Sequence, residues 1–487
     1  MRVAGAGLLA AAIAMILSAA VAVLDGGGGA RGLLLSALLT GLAGAALFFG
    51  SRVSATADSA LAFASVAWSW LAVSLAGSLP FLLTGVIPWG QFDNALFESI
   101  SGFTCSGSTI LVNFDAVPQG VLFYRSLTQW LGGMGLVVLA VAVLPALGIG
   151  GLDLIASEAP GPTADRLTLR VRDTARQLWL LYGAMTGALT LVLLTIGMSA
   201  FDAVTHAFTT ISTGGFSPHA ESIAYFDSFT IELILMVGML LSGASFSIHW
   251  HALRQGIGAY RRVSEVRWYL SLVFGAFGML VWVNLGELGW LQNLRESLFY
   301  AVSLGSNTGF GNSDFVLWMP AAHLLLLVLM LVGGMSGSTA GGMKVLRLQV
   351  VFKYSFRELM RARHPNSVIP IRLGRTTIEE QIAAKVVGFV LLYLGLILAG
   401  GVILSGLGVD PVTAFSGSAS ALGNVGPALG EAGPTSNFLV FPRAGRIVLM
   451  AMMALGRLEL FPAMLMLVAS LRGIDRSRLR RDRERSQ

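Results

Sequence analysis

The sequence predicts an all-α polytopic membrane protein: a helix pair at the N-terminus, then four units of long helix, short re-entrant helix and long helix (an M1-P-M2 plan) around a central pore. Three observations carry this. Hydrophobic residues fill 55% of the 487 positions and charged residues 12%, about half the charged share of a soluble domain. The apolar residues come in long uncharged runs, so the length reads as membrane spans and not as soluble domains. Finally, four small polar segments, each ending in glycine plus one residue, recur along the chain: Thr104-Cys105-Ser106-Gly107-Ser108, Ser212-Thr213-Gly214-Gly215-Phe216, Ser306-Asn307-Thr308-Gly309-Phe310 and Gly423-Asn424-Val425-Gly426-Pro427.

Residues 3–24 and 32–51 carry no charge, and each run is long enough to cross a ~30 Å hydrocarbon core as a helix. Met1-Arg2 before an apolar run also resembles the start of a signal peptide, but this run is long and a second follows at once. In the first unit the outer helix lies in the uncharged run 59–92, a short helix runs over about 93–103, and the inner helix lies within 121–150. The corresponding segments are 177–199, 202–211 and 229–251 in the second unit, 267–288, 292–304 and 320–347 in the third, and 383–406, 410–421 and 443–471 in the fourth. The domains are therefore expected at 1–52, 53–150, 151–255, 256–375 and 376–475, with a basic tail at 476–487.

A helix of ten to twelve residues is only ~15–18 Å long and must leave by the face it entered. Irregular backbone at that depth is tolerated where it lines a cavity or is buried in protein. Asp93, Asp202 and Asp410 stand at the starts of three short helices, where N-capping is the expected role.

Lys and Arg set the orientation. Connections 148–178, 251–268, 344–385 and 472–487 hold 24 of the 32, whereas the loop-bearing faces 85–120, 199–230, 286–320 and 405–446 hold three. The basic connections and both termini are thus expected in the cytoplasm, with the four loops opening outward. The net charge of +6 then reflects topology and lipid headgroup contact, with no support for nucleic-acid binding.

A pore replaces an ion's water shell with fixed oxygens, and extended backbone crowded on an axis supplies carbonyls for this. Glycine permits the backbone angles and the close approach. The C-terminal ends of the short helices, each worth about half a negative charge, favour a cation. Glu98, Asp115, Asp227, Asp314 and Glu431 are expected to add charge at the outer mouth. One such loop alone is an ordinary glycine turn; four at matching positions predict an ion-selectivity filter made of Thr104, Cys105, Ser106 and Gly107, of Ser212, Thr213, Gly214 and Gly215, of Ser306, Asn307, Thr308 and Gly309, and of Gly423, Asn424, Val425 and Gly426.

The stretch 333–342 holds five glycines within the uncharged run 315–343. Five helix-interior glycines cost roughly 4–5 kcal/mol relative to alanine, so a broken helix is expected, with Gly333, Gly334, Gly337, Ser338, Thr339, Gly341 and Gly342 forming a gate loop beneath the filter. Close packing of small residues is the alternative. Lys344 is followed by Val345, so this is not a phosphate-binding P-loop. Arg457 sits mid-span in the last helix, where a charge is expensive; it is expected to face the pore and repel cations, the alternative being an ion pair with Glu459 or another helix.

These segments resemble the TrkH/TrkG branch of the superfamily of K+ transporters that also holds KtrB and the plant HKT proteins. Residues 212–216 and 423–427 match the second and fourth filter segments, residues 333–344 the intramembrane loop, and Gly456-Arg457-Leu458-Glu459 the motif of the last helix. The extra helix pair at 3–51 favours TrkH over KtrB. The resemblance implies uptake of K+ as the transported ion, with no organic cofactor on this chain. It also implies a bacterial inner-membrane location, a homodimer, and a cytosolic nucleotide-binding regulatory subunit similar to TrkA. In the HKT branch a serine in the first loop goes with Na+ permeation, so Gly107 implies K+ selectivity. Cys105 departs from the hydroxyl residues common in the first loop: the change is mild if carbonyls coordinate the ion and weakens affinity if the side chain does. The third loop is also slightly divergent.

Other functions find little support. The single cysteine excludes an intrachain disulfide and a cysteine-based zinc site. His206, His249, His251 and His323 lack metal-site company, and His249 and His251 are expected at the headgroups. No Ser/His/Asp arrangement or paired carboxylates point to an enzyme. A K+ symporter coupled to H+ or Na+, or a less selective K+/Na+ pathway, remains the alternative transport reading. The segment 344–385, with its nine basic residues, is the expected docking surface for a partner.

Overall fold

The computed structural model describes residues 1–51, 59–142, 171–364, 367, 369–374 and 376–458. Glu459, the tail 476–487 and most of the connections 148–178 and 472–487 lie outside the described residues.

Helices α1 (Arg2–Leu24) and α2 (Ala30–Gly50) form an antiparallel pair. On α1 a stripe of mostly small residues, Ala4, Leu8, Ala11, Met15, Ala19 and Ala22, is buried, while Ile13, Ile16 and Leu17 point outward. A Cβ on Gly5 would come within 2.5 Å of the Phe48 amide nitrogen. Oil offers no hydrophobic gain for helix association, so close backbone approach through small residues is what joins them.

The rest of the chain is α3 (Ser59–Gly77), α4 (Leu79–Leu83), α5 (Phe92–Phe103), α6 (Gln119–Ala142), α7 (Val171–Thr195), α8 (Ala200–Ile211), α9 (Phe229–Ser242), α10 (Phe246–Gln255), α11 (Gly258–Arg262), α12 (Ser264–Val283), α13 (Trp290–Gly305), α14 (Pro320–Val332), α15 (Val345–Arg363), a β-hairpin, α16 (Glu380–Gly406), α17 (Pro411–Gly423) and α18 (Arg443–Arg457). Among the described residues five helices are long and apolar enough to cross a membrane: α1, α2, α12, α16 and the Ala175–Thr195 part of α7. The pair α9 and α10 passes the same test together, although it bends by 96°. Outward apolar stripes such as Leu391, Leu394, Leu398 and Val402 on α16 suit hydrocarbon.

The short helices α5, α8, α13 and α17 have 12, 12, 16 and 13 residues, too short for a 30 Å slab at 1.5 Å per residue. Each packs on the long helices flanking it in sequence: α5 on α3 and α6, α8 on α7 and α9, α13 on α12 and α14, α17 on α16 and α18. Each also receives the inner helix of the preceding set. Helix α6 packs on α8, α9 on α13, α14 on α17, and α18 returns to α5. The contacts therefore close in a circle.

Three expectations are corrected. The segment 229–251 is not one helix: it breaks at Gly243-Ala244-Ser245, where the Gly243 carbonyl accepts from the Met335 amide instead of continuing the helix. The fold is not wholly helical, because β1 (Ile371–Leu373) and β2 (Thr376–Ile378) pair antiparallel. Their Ile371, Leu373 and Ile378 cover Leu346, Val350 and Ala383, a small core apart from the main one. Of the expected aspartate caps, Asp410 caps α17, accepting from the Thr413 amide at 3.2 Å, with Pro411 opening the helix. Helix α8 is capped by Ser199 instead; Asp202 accepts from the Ser199 hydroxyl at 2.7 Å on one oxygen and pairs with His219 at 2.8 Å through the other. Asp93 makes no cap; Arg446 of α18 holds it at 2.9 Å.

Candidate functional site

The four short helices end in the same way. Cys105, Thr213, Asn307 and Asn424 have φ of 54°, 51°, 55° and 54°. The amides of Cys105, Thr213, Asn307 and Asn424 bond the carbonyls of Gly102, Thr210, Leu304 and Ala421, and the next amides bond Ser101, Thr209, Ser303 and Ser420. This is the Schellman closure, which satisfies the last carbonyls of a helix by a left-handed turn. Non-glycine residues adopt that turn at a cost, and here each has a side-chain anchor. Asn424 Nδ2 donates to the Met453 carbonyl at 3.1 Å, Asn307 Nδ2 to the Gly423 carbonyl at 2.8 Å, and Thr213 Oγ1 to Thr339 Oγ1 at 3.3 Å. The Cys105 thiol donates to the Gln129 carbonyl at 3.1 Å.

Two residues later the backbone turns left-handed again at Gly107, Gly215, Gly309 and Gly426, with φ of 81°, 75°, 81° and 112°. These glycines bring the loops together. A Cβ on Gly107 would lie 2.5 Å from the Gly214 carbonyl oxygen, and one on Gly426 would lie 3.1 Å from that of Ser106. A Cβ on Gly215 would overlap the Thr308 oxygen, and one on Gly309 the Val425 oxygen. The contacts run first loop to second, second to third, third to fourth and fourth to first. The carbonyls of Ser106, Gly214, Thr308 and Val425 hold equivalent places in this ring. Gly107, Gly215 and Gly309 are half-buried, while the side chains of Ser106, Ser212, Ser306, Thr308 and Val425 are buried. Each of the four predicted loops therefore touches its two neighbours in the ring.

Residues the sequence reading passed over hold the loops in place. Gln129 on α6 donates through Nε2 to the Gly214 carbonyl at 2.6 Å and accepts the Phe216 amide on Oε1 at 3.0 Å. One turn earlier, Arg125 reaches the Ser217 carbonyl at 2.9 Å and stacks 3.4 Å from the centre of the Phe216 ring. An arginine and a glutamine four apart in an apolar helix were the available signal. Arg125 also pairs with Glu98 at 2.5 Å, so Glu98 is a buried, neutralised carboxylate and not part of an open acidic mouth. Asp227 likewise has Arg295 at 3.3 Å, and Asp314 accepts from Thr435 at 3.0 Å; Asp115 and Glu431 are exposed.

The loop 333–344 lies against the ring. The Met343 and Lys344 amides bond back to the carbonyls of Leu331 and Val332, closing it at its base. Thr339 Oγ1 donates to the Ile211 carbonyl at 3.0 Å. A Cβ on Gly341 would overlap the Gly423 oxygen, and Cβ atoms on Gly333 and Gly342 would crowd Asn307 Nδ2 at 3.0 and 2.9 Å. The break in the preceding inner helix interlocks here, with the Phe246 amide on the Gly337 carbonyl at 3.0 Å. Gly334 and Ser338 are buried in the same contact, and Lys344 Nζ donates to the Ala340 carbonyl.

Arg457, 1% exposed, spans these parts. It donates to the Thr339 carbonyl at 3.0 Å, the Gly132 carbonyl at 3.0 Å and Cys105 Sγ at 3.1 Å. The expected partner Glu459 lies outside the described residues. Cys105 therefore points its sulfur sideways into the scaffold, between Gln129 and Arg457.

The histidines stand apart from the ring contacts. His249 is buried, bonded to the Tyr260 hydroxyl at 2.6 Å and the Leu241 carbonyl at 2.7 Å, contrary to the expected headgroup position. His251 is half-buried and bonds the Ser247 carbonyl at 2.7 Å. His206 bonds Ser217 Oγ at 3.1 Å, and His323 bonds the Phe315 carbonyl at 3.0 Å. Among the described residues no group of three or more His, Cys, Asp or Glu is placed to hold a metal.

Comparison with known proteins agrees with this architecture. Residues 34–276 and 286–472 match the family described as TrkH, cation transport protein. The Trk system potassium uptake protein TrkH of Halomonas elongata is 42% identical over 82% of this chain and 83% of its own length. That of Escherichia coli is 38% identical over the same shares. The crystal structure of the potassium transporter TrkH from Vibrio parahaemolyticus superimposes with a TM-score of 0.87 at 33% identity, over 96% of this chain and 97% of that one. With a family match over most of its length and a shared fold over 96% of it, the chain belongs to the TrkH family of cation transport proteins.

Proposed function

We propose that this protein takes up potassium ions across the bacterial cytoplasmic membrane through a channel-like pore, with the ring of four loops as its selectivity filter. The observation that carries this reading is the closed circle of contacts from Gly107 to Gly214, Gly215 to Thr308, Gly309 to Val425 and Gly426 to Ser106. Four equivalent carbonyls around one axis replace a cation's hydration shell. The C-terminal ends of α5, α8, α13 and α17 converge there and add negative potential. The four sets of long, short and long helix act as four M1-P-M2 repeats around that axis. The names of the relatives, potassium uptake proteins, support K+ as the ion.

Loop 333–344 is the gate beneath the filter, and Arg457 locks it closed. Its guanidinium places a positive charge beside the ion path while holding the Thr339 carbonyl. The protein works as a homodimer, with its termini in the cytoplasm. A TrkA-like nucleotide-binding subunit docks on the basic surface 344–385 and moves the gate.

The test is ion flux into proteoliposomes containing the purified protein, comparing K+, Rb+, Na+ and Li+. Flux of K+ and Rb+ well above Na+ and Li+ is the expected result. Equal flux of all four ions overturns the filter. Flux strictly dependent on a proton or Na+ gradient overturns the channel-like mechanism in favour of a symporter.

A further inference from the structure

The four loops are not held alike. Six residues before the ring glycines the short helices carry Ser101, Thr209, Ser303 and Ser420. In three loops this hydroxyl reaches forward and ties the outgoing backbone. Ser101 Oγ donates to the Ser108 carbonyl at 2.5 Å, and Ser303 Oγ to the Phe310 carbonyl at 2.8 Å. Ser420 Oγ donates to the Gly426 carbonyl at 3.0 Å and accepts the Gly426 amide at 3.1 Å. Thr209 turns back instead. Its Oγ1 donates to the carbonyls of Thr205 and His206 in its own helix, at 3.1 and 3.3 Å, a local bond that competes with any longer reach.

The tie on the second loop comes from α6. Gln129 is fully buried, with its Nε2 on the Gly214 carbonyl and its Oε1 on the Phe216 amide. Those two groups belong to the peptides on either side of Gly215, the ring glycine. Peptide groups are planar, so one carboxamide fixes both planes and aims the Gly214 carbonyl. That oxygen keeps a second lone pair for an ion. The same contact accounts for Gly214 itself. Ser106, Thr308 and Val425 precede the other ring glycines. Gly214 is not among the positive-φ glycines, so its backbone conformation is open to other residues. What excludes a side chain there is Gln129: a Cβ on Gly214 would lie 2.4 Å from both its Cδ and its Oε1.

We propose that Gln129 is a selectivity-determining positioning residue: its carboxamide stands in for the side chain that Gly214 lacks and sets the second loop's carbonyl in the ring. The proposal rests on the reading of the four loops as a filter. Both ends of the side chain are needed. The amide nitrogen is the donor to Gly214 and the oxygen the acceptor from Phe216, and few side chains carry both at one tip. Gln129 also receives the Cys105 thiol on its own carbonyl at 3.1 Å, so this one residue of α6 fixes the second loop relative to the first. Gln129 and Gly214 form a matched pair, 85 positions apart in sequence.

The test is the ratio of K+ to Na+ flux into proteoliposomes of the full-length protein and its variants. Equal flux of the two ions in the parent protein overturns the filter reading, and this proposal with it, before any variant is compared. With a selective parent, Gln129→Met, close in size but without the donor, should lower the ratio about tenfold. Should that variant fail to fold, Gln129→Asn, one methylene too short to reach both groups, should lower it about fivefold. Gly214→Thr drives a side chain into Gln129 and should also lower the ratio about tenfold. Gln129→Ala with Gly214→Thr restores the room and recreates the third loop's pattern, in which Thr308 Oγ1 meets Ser306 Oγ at 2.8 Å. This double variant should be about threefold more selective than Gly214→Thr alone. Losses that multiply in the double variant, or the parent's ratio in both Gln129→Met and Gln129→Asn, would overturn the role of Gln129 and leave the filter reading standing.

Discussion

Arg125 and Glu98 form a buried ion pair that ties two loops of the ring together. The Arg125 Nε lies 2.5 Å from Glu98 Oε1, while its Nη1 holds the Ser217 carbonyl beyond the second loop. Glu98 in turn accepts the Ile110 amide at 3.0 Å and the Thr109 hydroxyl just beyond the first loop. Removing one member strands the other's charge, at about 3–5 kcal/mol. Arg125→Leu should therefore lower the melting temperature in detergent and reduce K+ over Na+ selectivity in proteoliposomes. Replacing both, as Glu98→Gln with Arg125→Gln, should restore part of the stability. A melting temperature unchanged in Arg125→Leu would contradict the pairing.

The ring glycines differ in how little room they have, and substitution should rank accordingly. Gly215→Ala and Gly309→Ala place a Cβ onto a neighbouring carbonyl and demand a left-handed alanine, which costs ~1–2 kcal/mol before any overlap. Both should abolish selective K+ flux. Gly426→Ala, with 3.1 Å to the Ser106 oxygen, meets less overlap, but its φ of 112° lies outside the left-handed region open to alanine, so it too should lower selective K+ flux. Gly406→Ala at the end of α16 meets nothing within 4 Å and should behave as the parent protein.

Arg457→Ala removes three hydrogen bonds, to Thr339, Gly132 and Cys105. If these hold the gate loop closed, K+ flux should rise in vesicles containing the protein alone. Thr339→Ala, which frees the loop from the Ile211 carbonyl, should raise flux in the same direction. Unchanged flux with normal expression in both variants would count against the lock.

Cys105→Ser should leave K+ flux within about twofold of the parent and its K+ over Na+ ratio unchanged, since a hydroxyl both donates and accepts as the thiol does here. The reason is orientation: the sulfur faces Gln129 and Arg457. A collapse of selectivity in Cys105→Ser would place the side chain in the ion path.

The sequence by itself determined where the chain crosses apolar surroundings and where it turns. Apolar runs such as 3–24 and 383–406, the second with Lys385 as its one charge, became α1 and α16 because span length is a property of consecutive residues. The second left-handed turn of each loop was legible from Gly107, Gly215, Gly309 and Gly426, because φ is set locally. The break at 333–342 was legible for the same reason. The second break, at Gly243, was not, since its cause is the arrival of Met335 from far along the chain.

Only the tertiary structure decided which distant residues meet. Asp93 and Asp202 had the local look of caps but went to Arg446 and His219. Glu98 had the look of a mouth carboxylate but found Arg125. Arg457 and Cys105 touch across 352 positions of sequence. Charges and polar groups inside a low-dielectric interior take whichever partner the fold brings within about 3 Å. That choice rests on the circular packing of α6, α9, α14 and α18 on the next short helix, and no local run of residues encodes it.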